Sequence, residues 1–359
     1  MREKISQNSF KGQAIYIGID VHLKNWKVSV MSENVHYKTF SSPPEPARLS
    51  KYLFEHFPGA TYHAAYEAGF SGFWLHKELT NLGINSIIVN PADIPTTDKE
   101  RKQKEDKRDS RKIVKTLQAG QLRGIHVPSE RIQQDRMLLR TRDIIVRDIT
   151  RNKNRIKGRL YFMGIQYPDR FATTSSHWSK PFVQWLESIK LEHESGRAGL
   201  NSILEMVNHQ RRSLLKVTRA MQVLSKTAFY EENVKLLISI PGIARLTAMK
   251  LLTELDNIDR FENFKHLCSY VGLVPSTNSS GENEVVNGIT PRKLSSIRVA
   301  LVESAWTAIR NDPALLSSFQ RHCKRMNANR AIIRIAKKLL NRIVYVLRKK
   351  EKYEKGVVR

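Results

Sequence analysis

Near the start of the chain, apolar and polar positions alternate in short runs. Ile15, Ile17 and Ile19 alternate with Tyr16, Gly18 and Asp20, and Trp26, Val28 and Val30 alternate with Lys27 and Ser29. A period of two marks strands with one buried face. The few polar residues around Lys24-Asn25 join these two strands as a hairpin. Ser41-Ser42-Pro43-Pro44 breaks the chain before a helix over Glu45 to Phe57. A third strand, Tyr62 to Tyr66, ends at Glu67, and Gly69 and Gly72 lead into a helix whose inner face is Leu75, Leu79 and Leu82. Ile84 to Val89 reads as another strand, closed by Asn90-Pro91. Residues 14–125 are therefore expected to form an α/β domain.

Beyond it the period lengthens. Leu138, Arg142, Ile145, Ile149, Asn152 and Ile156 follow alternating steps of four and three, as do Ile203, Val207, Gln210, Leu214, Val217, Met221 and Leu224. This is the rhythm of a coiled-coil seam. Residues 126–232 are expected to pair two long helices through an irregular tip from Gly164 to about Gly196. The product would be an antiparallel hairpin serving as a spacer or a dimerisation arm. Asn152 and Gln210 are the kind of seam residue that fixes register at a cost in stability. Residues 233–355 read as a mostly helical domain. It contains an apolar Pro-Gly-Ile turn, Ile240 to Ile243, ahead of helix-spaced Ala248, Leu251, Leu252 and Leu255. The turn resembles a helix-hairpin-helix, in which Gly242 would offer a backbone N–H to phosphate. Ala244 replaces that motif's second glycine, so a simple packing turn is the equal alternative.

Charge changes the picture most. Lys plus Arg number 61 against 34 Asp plus Glu, a net +27. Such an excess attracts phosphate regardless of sequence, which points to nucleic acid more than to a ribosome-like or membrane-surface role. Cys268 and Cys323 lie far apart and form neither a metal-ligand spacing nor a disulfide framework, as suits a reducing cytosol. Met1 to Gln13 is polar and does not read as a signal peptide, and no apolar run is long enough to cross a bilayer.

Within this basic chain the placement of four acids stands out. Asp20 and Glu67 close apolar strands, at a sheet end where sites on α/β sheets commonly lie. Asp106 and Asp109 open a helix, three apart and so on one face, which continues to Ile113 and Leu117. Carboxylates on a buried stripe need a metal, a basic partner or first-turn exposure to compensate them, although the helix dipole alone also favours Asp at a helix start. Several carboxylates around cations ~4 Å apart suit two-metal phosphoryl chemistry. Oxygen ligands with no His or Cys nearby favour Mg²⁺ or Mn²⁺. Glu105 and Asp98 are competing acids, one off the helix face and the other in the Pro95-Thr96-Thr97 linker.

Tyr16-Ile17-Gly18-Ile19-Asp20, Tyr66-Glu67-Ala68-Gly69 and Lys104 to Ser110 together resemble the DEDD transposases of the IS110 group of insertion sequences. The resemblance continues through Ile240 to Ile243, Tyr270 to Pro275, Ser280-Gly281 and Ala336 to Leu340. It implies a RuvC-like, RNase H-type first domain whose Asp20, Glu67, Asp106 and Asp109 bind Mg²⁺. It also implies a C-terminal transposase domain in which Ser280 is the nucleophile joined covalently to DNA, as in a serine recombinase. A structured bridge RNA that pairs with donor and target DNA, and a dimer or tetramer built on the coiled coils, are further implications. So is a site in the cytoplasm of a bacterial or archaeal cell, at the nucleoid.

Ser280 lies in a small polar stretch that by itself reads as a loop, and a hydroxyl needs a base or metal to become a nucleophile. The acids could serve if the two domains meet. Thr290 and Pro291 read as an N-cap and first-turn proline, followed by a helix burying Leu294, Ile297, Leu301, Ala305 and Ala308. Arg292, Lys293 and Arg298 near its start could clamp the scissile phosphate or be ordinary solvated bases. Leu294 stands where the family usually has a glycine, which predicts altered loop geometry. Tyr16, Trp26, Tyr66 and Trp74 could stack on bases, but their positions suit core packing better. The alternatives to a recombinase are a RuvC-like nuclease or junction resolvase using only the acids and water, and a non-catalytic nucleic-acid scaffold.

Overall fold

The computed structural model describes residues 10–33, 35–95, 106–280, 283–289 and 294–355, with residues 106–108 and 276–289 described by their backbone alone. The chain divides into two compact units, Met1–Val127 and Pro128–Arg359.

In the first unit β1 (Ala14–Val21) pairs antiparallel with β2 (Trp26–Met31), and β2 pairs antiparallel with β3 (His36–Ser42). Helix α1 (Pro46–His56) leads to β4 (Thr61–Glu67), parallel to β1, and α2 (Trp74–Asn81) leads to β5 (Asn85–Val89), parallel to β4. The strand order is β3-β2-β1-β4-β5. This mixed five-stranded sheet is compatible with the expected RuvC-like domain. Periodicity misses β3 because its side chains are mostly exposed; an edge strand with no buried face leaves no alternation to read.

Each face of the sheet has its own cover. Ile15, Ile17 and Ile19 pack with Trp26, Val28 and Tyr66 against Leu49 and Leu53 of α1 and Leu75 and Leu79 of α2. Each such fully buried side chain contributes roughly 1.5–3 kcal/mol. On the opposite face Ala65 and Val89 pack against Ile113 of α3 (Asp106–Gln118).

The second unit begins with α4 (Glu130–Phe162), which pairs antiparallel with α6 (Glu194–Leu224). Two cross-helix bonds set their register. Asn152 Nδ2 donates to Gln210 Oε1 at 3.2 Å, and Arg142 Nε donates to Thr218 Oγ1 at 3.2 Å. The tip is more ordered than expected. It carries α5 (Lys180–Ser188) and a core of its own, in which Phe171, Phe182 and Leu186 pack with Tyr167 and Trp185 against Leu160.

The remaining elements are α7 (Glu231–Ile238), α8 (Arg245–Leu255), α9 (Phe264–Val271), β6 (Pro275–Ser280), β7 (Asn283–Ile289), α10 (Ser295–Asn311), α11 (Pro313–Cys323) and α12 (Ala328–Lys349). Leu237, Leu251, Leu301, Ile335 and Leu339 centre their core, which also takes in Ile132, Leu139 and Met221 from the root of the hairpin. There Glu254, 4 % exposed, accepts two bonds of 2.8 Å from Arg140, with Arg136 at 3.4 Å. Cys268 is buried, Cys323 is exposed, and both are free thiols. No helix among the described residues is long and apolar enough to cross a membrane.

Candidate active site

Strands β1 and β4 run parallel, with Gly18 opposite Ala65 and Ile19 opposite Tyr66. Asp20 and Glu67 follow one residue further on, at the same end of adjacent strands. Side chains alternate across a strand. Since Ile19 and Tyr66 face α1 and α2, Asp20 and Glu67 face the side that carries α3.

Helix α3 lies against β1 because Gly18 has no side chain. A Cβ there would stand 2.2 Å from the Ser110 carbonyl oxygen and 2.6 Å from the Val114 nitrogen. A buried 2.9 Å bond between the Ser110 and Ser29 hydroxyls pins the same turn to β2. Further along α3, Gln118 donates to the Glu33 carbonyl, beyond the far end of β2. The helix therefore runs antiparallel to β1, and its first turn lies at the end of the sheet that carries Asp20 and Glu67. Half-buried Asp109 sits one turn before Ile113, on the stripe facing the sheet. Asp106 occupies the first position of α3; its side chain lies outside the described residues, as do Asp98 and Glu105. Three acid-bearing elements thus share one face and one end of the sheet.

His22 corrects the expectation of an all-oxygen surrounding. Its Nε2 lies 3.0 Å from Asp20 Oδ2, reached from the position just past the end of β1. His22 falls just past the alternating apolar run, where periodicity gives no signal. Tyr66 steadies the neighbouring acid. Its hydroxyl donates to the Gly72 carbonyl and accepts from the His76 N–H, both at 3.1 Å, which fixes the turn after Glu67. Burial pushes this phenol up to about 12, so it stays protonated. In chemistry, Asp20, Glu67 and Asp109 offer the hard oxygen ligands that a divalent cation takes. Among the described residues, however, no three His, Cys, Asp or Glu side chains form a complete metal-binding group.

The second unit holds the other expected residues. Ser280 ends β6 and pairs with Asn283 of β7, so its segment is a two-stranded hairpin, not the loop that its small polar residues suggest. Its side chain lies outside the described residues. Gly242 has φ +86°, and a Cβ there would stand 2.2 Å from the Ser304 carbonyl of α10. Close packing of the turn onto α10 already requires glycine at this position. Arg298 Nη1 donates to the Gly272 carbonyl at 3.3 Å, and burial pulls its pKa below the usual guanidinium range. Helix α10 starts at Ser295 with half-buried Leu294 at its N-cap, four residues later than a Thr290 cap implies. Thr290, Pro291, Arg292 and Lys293 lie outside the described residues. Of the aromatics, Trp26 and Tyr66 are core residues, whereas Trp74 is half exposed.

A family model for DEDD transposases of the IS110 type matches residues 17–163, and one described as the transposase IS116/IS110/IS902 family matches residues 234–320. The chain belongs to the IS110 family of transposases. That family consists of enzymes acting on DNA. A transposase of insertion element IS1533 from Leptospira borgpetersenii is 26% identical over 303 residues, 81% of this chain and 84% of that protein. The y4qE protein of Sinorhizobium fredii is 29% identical over 245 residues, 67% of this chain but only 57% of its own length. The pilin gene-inverting protein of Moraxella bovis is 30% identical over 146 residues, 38% of this chain and 43% of that protein. The first IS110-type match contains the Asp20, Glu67, Asp106 and Asp109 positions. The second contains Gly242, Ser280 and Arg298.

Proposed function

We propose that the chain is the transposase and DNA recombinase of an insertion element, guided by a structured bridge RNA and assembled as a dimer or tetramer. In this reading Asp20, Glu67, Asp106 and Asp109 hold Mg²⁺ or Mn²⁺, and Ser280 supplies the attacking hydroxyl. The observation that carries it is the placement of Asp20, Glu67 and the first turn of α3 on one face at one end of the sheet.

When bound, the cations would neutralise phosphate charge and lower the pKa of an oxygen ligand. The side chains do the rest. Asp20, held by His22, and Glu67, followed by a fixed turn, present oxygens from adjacent strands. Ser280 Oγ forms a bond to phosphorus as the bond to the leaving sugar oxygen breaks. The serine proton is lost to a base, and the leaving oxygen gains a proton. Arg292, Lys293 and Arg298 are assigned to the phosphate, with Gly242 offering a backbone N–H. A net charge of +27 supports the nucleic-acid partners.

Incubation with element DNA, its flanking-encoded RNA and Mg²⁺, followed by denaturation, is the test. Wild type should leave a protein–DNA adduct, Ser280→Ala should leave none, and Asp20→Ala should neither cut nor join. Free cut ends from both wild type and Ser280→Ala, with no adduct, would replace this reading by a RuvC-like nuclease or resolvase. Binding without cutting in wild type would make the protein a scaffold.

A further inference from the structure

At the junction of the long helices and the aromatic tip, three cations crowd together. Lys153 and Lys157 come from α4 and Arg211 from α6. Lys153 Nζ stands 5.1 Å over the Trp178 ring, and Arg211 Nη2 donates to the Trp178 carbonyl at 2.9 Å. Trp178 adopts φ +70°, a left-handed conformation that bulky residues rarely take. Its ring packs on the buried Phe182 with centroids 5.5 Å apart. The tryptophan is thus a fixed hub on which two cations are oriented.

Their charge is left standing within the hairpin. Among the described residues no carboxylate lies within ion-pair distance of Lys153, Lys157 or Arg211; the nearby Asp148 pairs with Arg151. Burial first, and then the charges of Arg211 and Lys157, hold Lys153 below the usual lysine range. Like charges kept partly out of water repel one another. A bound anion would remove that repulsion.

We infer that this junction is a phosphate-binding site, in which Lys153, Lys157 and Arg211 grip the backbone of a nucleic-acid strand laid across the hairpin. The inference rests on the nucleic-acid part of the proposed function and not on the carboxylate or serine chemistry. Phosphate contacts of this kind position a strand without reading its bases. Exposed Arg155 and Arg212 extend the positive surface on either helix.

The test uses the full chain and the double variant Lys153→Gln/Lys157→Gln, which leaves the Arg211–Trp178 bond in place. Binding to labelled single-stranded RNA, single-stranded DNA and duplex DNA is measured by fluorescence anisotropy across a salt series. The slope of log affinity against log salt should shrink by about one per lysine for at least one of the three polymers. Which polymer responds identifies the strand. The control is Arg48→Gln/Lys51→Gln on α1, which removes the same charge from exposed ion pairs with Glu45 and Glu55. Equal slopes in the two double variants for every polymer overturn the inference. Should the double variant melt early, Lys157→Gln alone decides the matter, with an expected change of about one. A smaller slope in the double variant stands whether or not wild type forms the protein–DNA adduct, so the two proposals fail separately.

Discussion

Gly18 sets the distance at which α3 can approach the sheet, and so the position of the first turn that carries Asp106 and Asp109. An added methyl group would meet backbone atoms of Ser110 and Val114, which cannot rotate away. Gly18→Ala should cost about 3 kcal/mol, the upper part of the usual range for overpacking, and should abolish strand cutting along with any loss of stability. Gly158 is the counter-case. It is exposed on α4, and a methyl group added there would meet nothing within 4 Å, so Gly158→Ala should stabilise by about 0.5–1 kcal/mol. Urea unfolding of the two variants checks both signs. The placement of the carboxylates could be read from the sequence because each adjoins a pattern: Asp20 and Glu67 lie at the ends of apolar strands, and Asp109 precedes a buried stripe. His22 could not, since a histidine after a strand end resembles any loop residue. The role of Gly18 is equally hidden, because its partner Ser110 lies far along the chain, 81 positions from the Ser29 that it bonds, and only folding brings them together.

Between helices, the polar seam makes a separate claim. The heptad rhythm puts Asn152 and Gln210 on opposing seams, and they do bond to each other across α4 and α6, with Arg155 Nη1 also donating to Asn152 Oδ1 at 2.8 Å. Replacing both by leucine removes the pair without stranding either partner, so Asn152→Leu/Gln210→Leu should be neutral or stabilising by about 1 kcal/mol. Asn152→Leu alone should destabilise by about 1–2 kcal/mol, because it leaves a part-buried amide behind. Thermal melts of the three proteins decide this. Long amphipathic helices were legible because one buried stripe repeats over many turns. Short elements were not. Strand β6 is written in small polar residues, Ser276 to Ser280, and it owes its strand form to pairing with β7, such as Ser279 with Glu284. In the tip core Phe182, Trp185 and Leu186 do follow helical spacing, but only over the two turns of α5, while Phe171 comes from outside that helix.

At the scale of the molecule, the two units divide the expected chemistry. The acids belong to the first, and Ser280 with Arg298 belongs to the second. Within the second unit, the hairpin root and the C-terminal helices are tied together by charge as well as by their shared core. Glu254 accepts from Arg140, Lys250 Nζ lies 2.8 Å from Asp143, and Tyr230 donates to Asp135 at 2.7 Å. Burial and that bond to Asp135 raise the Tyr230 pKa well above the usual phenol range, so the donor is always present. Glu254→Ala would leave Arg136, 11% exposed, without its counter-charge. Removing one partner of such a pair should cost about 3 kcal/mol, read as a lower urea midpoint for the full chain with an unchanged m-value.

The clamp at Glu254 gives the long arm a mechanical consequence. Lys153 stands about 25 Å further along α4 than Arg136, at 1.5 Å per residue. Tension applied near Trp178 therefore acts through that length as torque on α8, with no flexible joint between. A helix pair seated in this way would pass a pull on its outer end to α8 and to the core that the hairpin root shares.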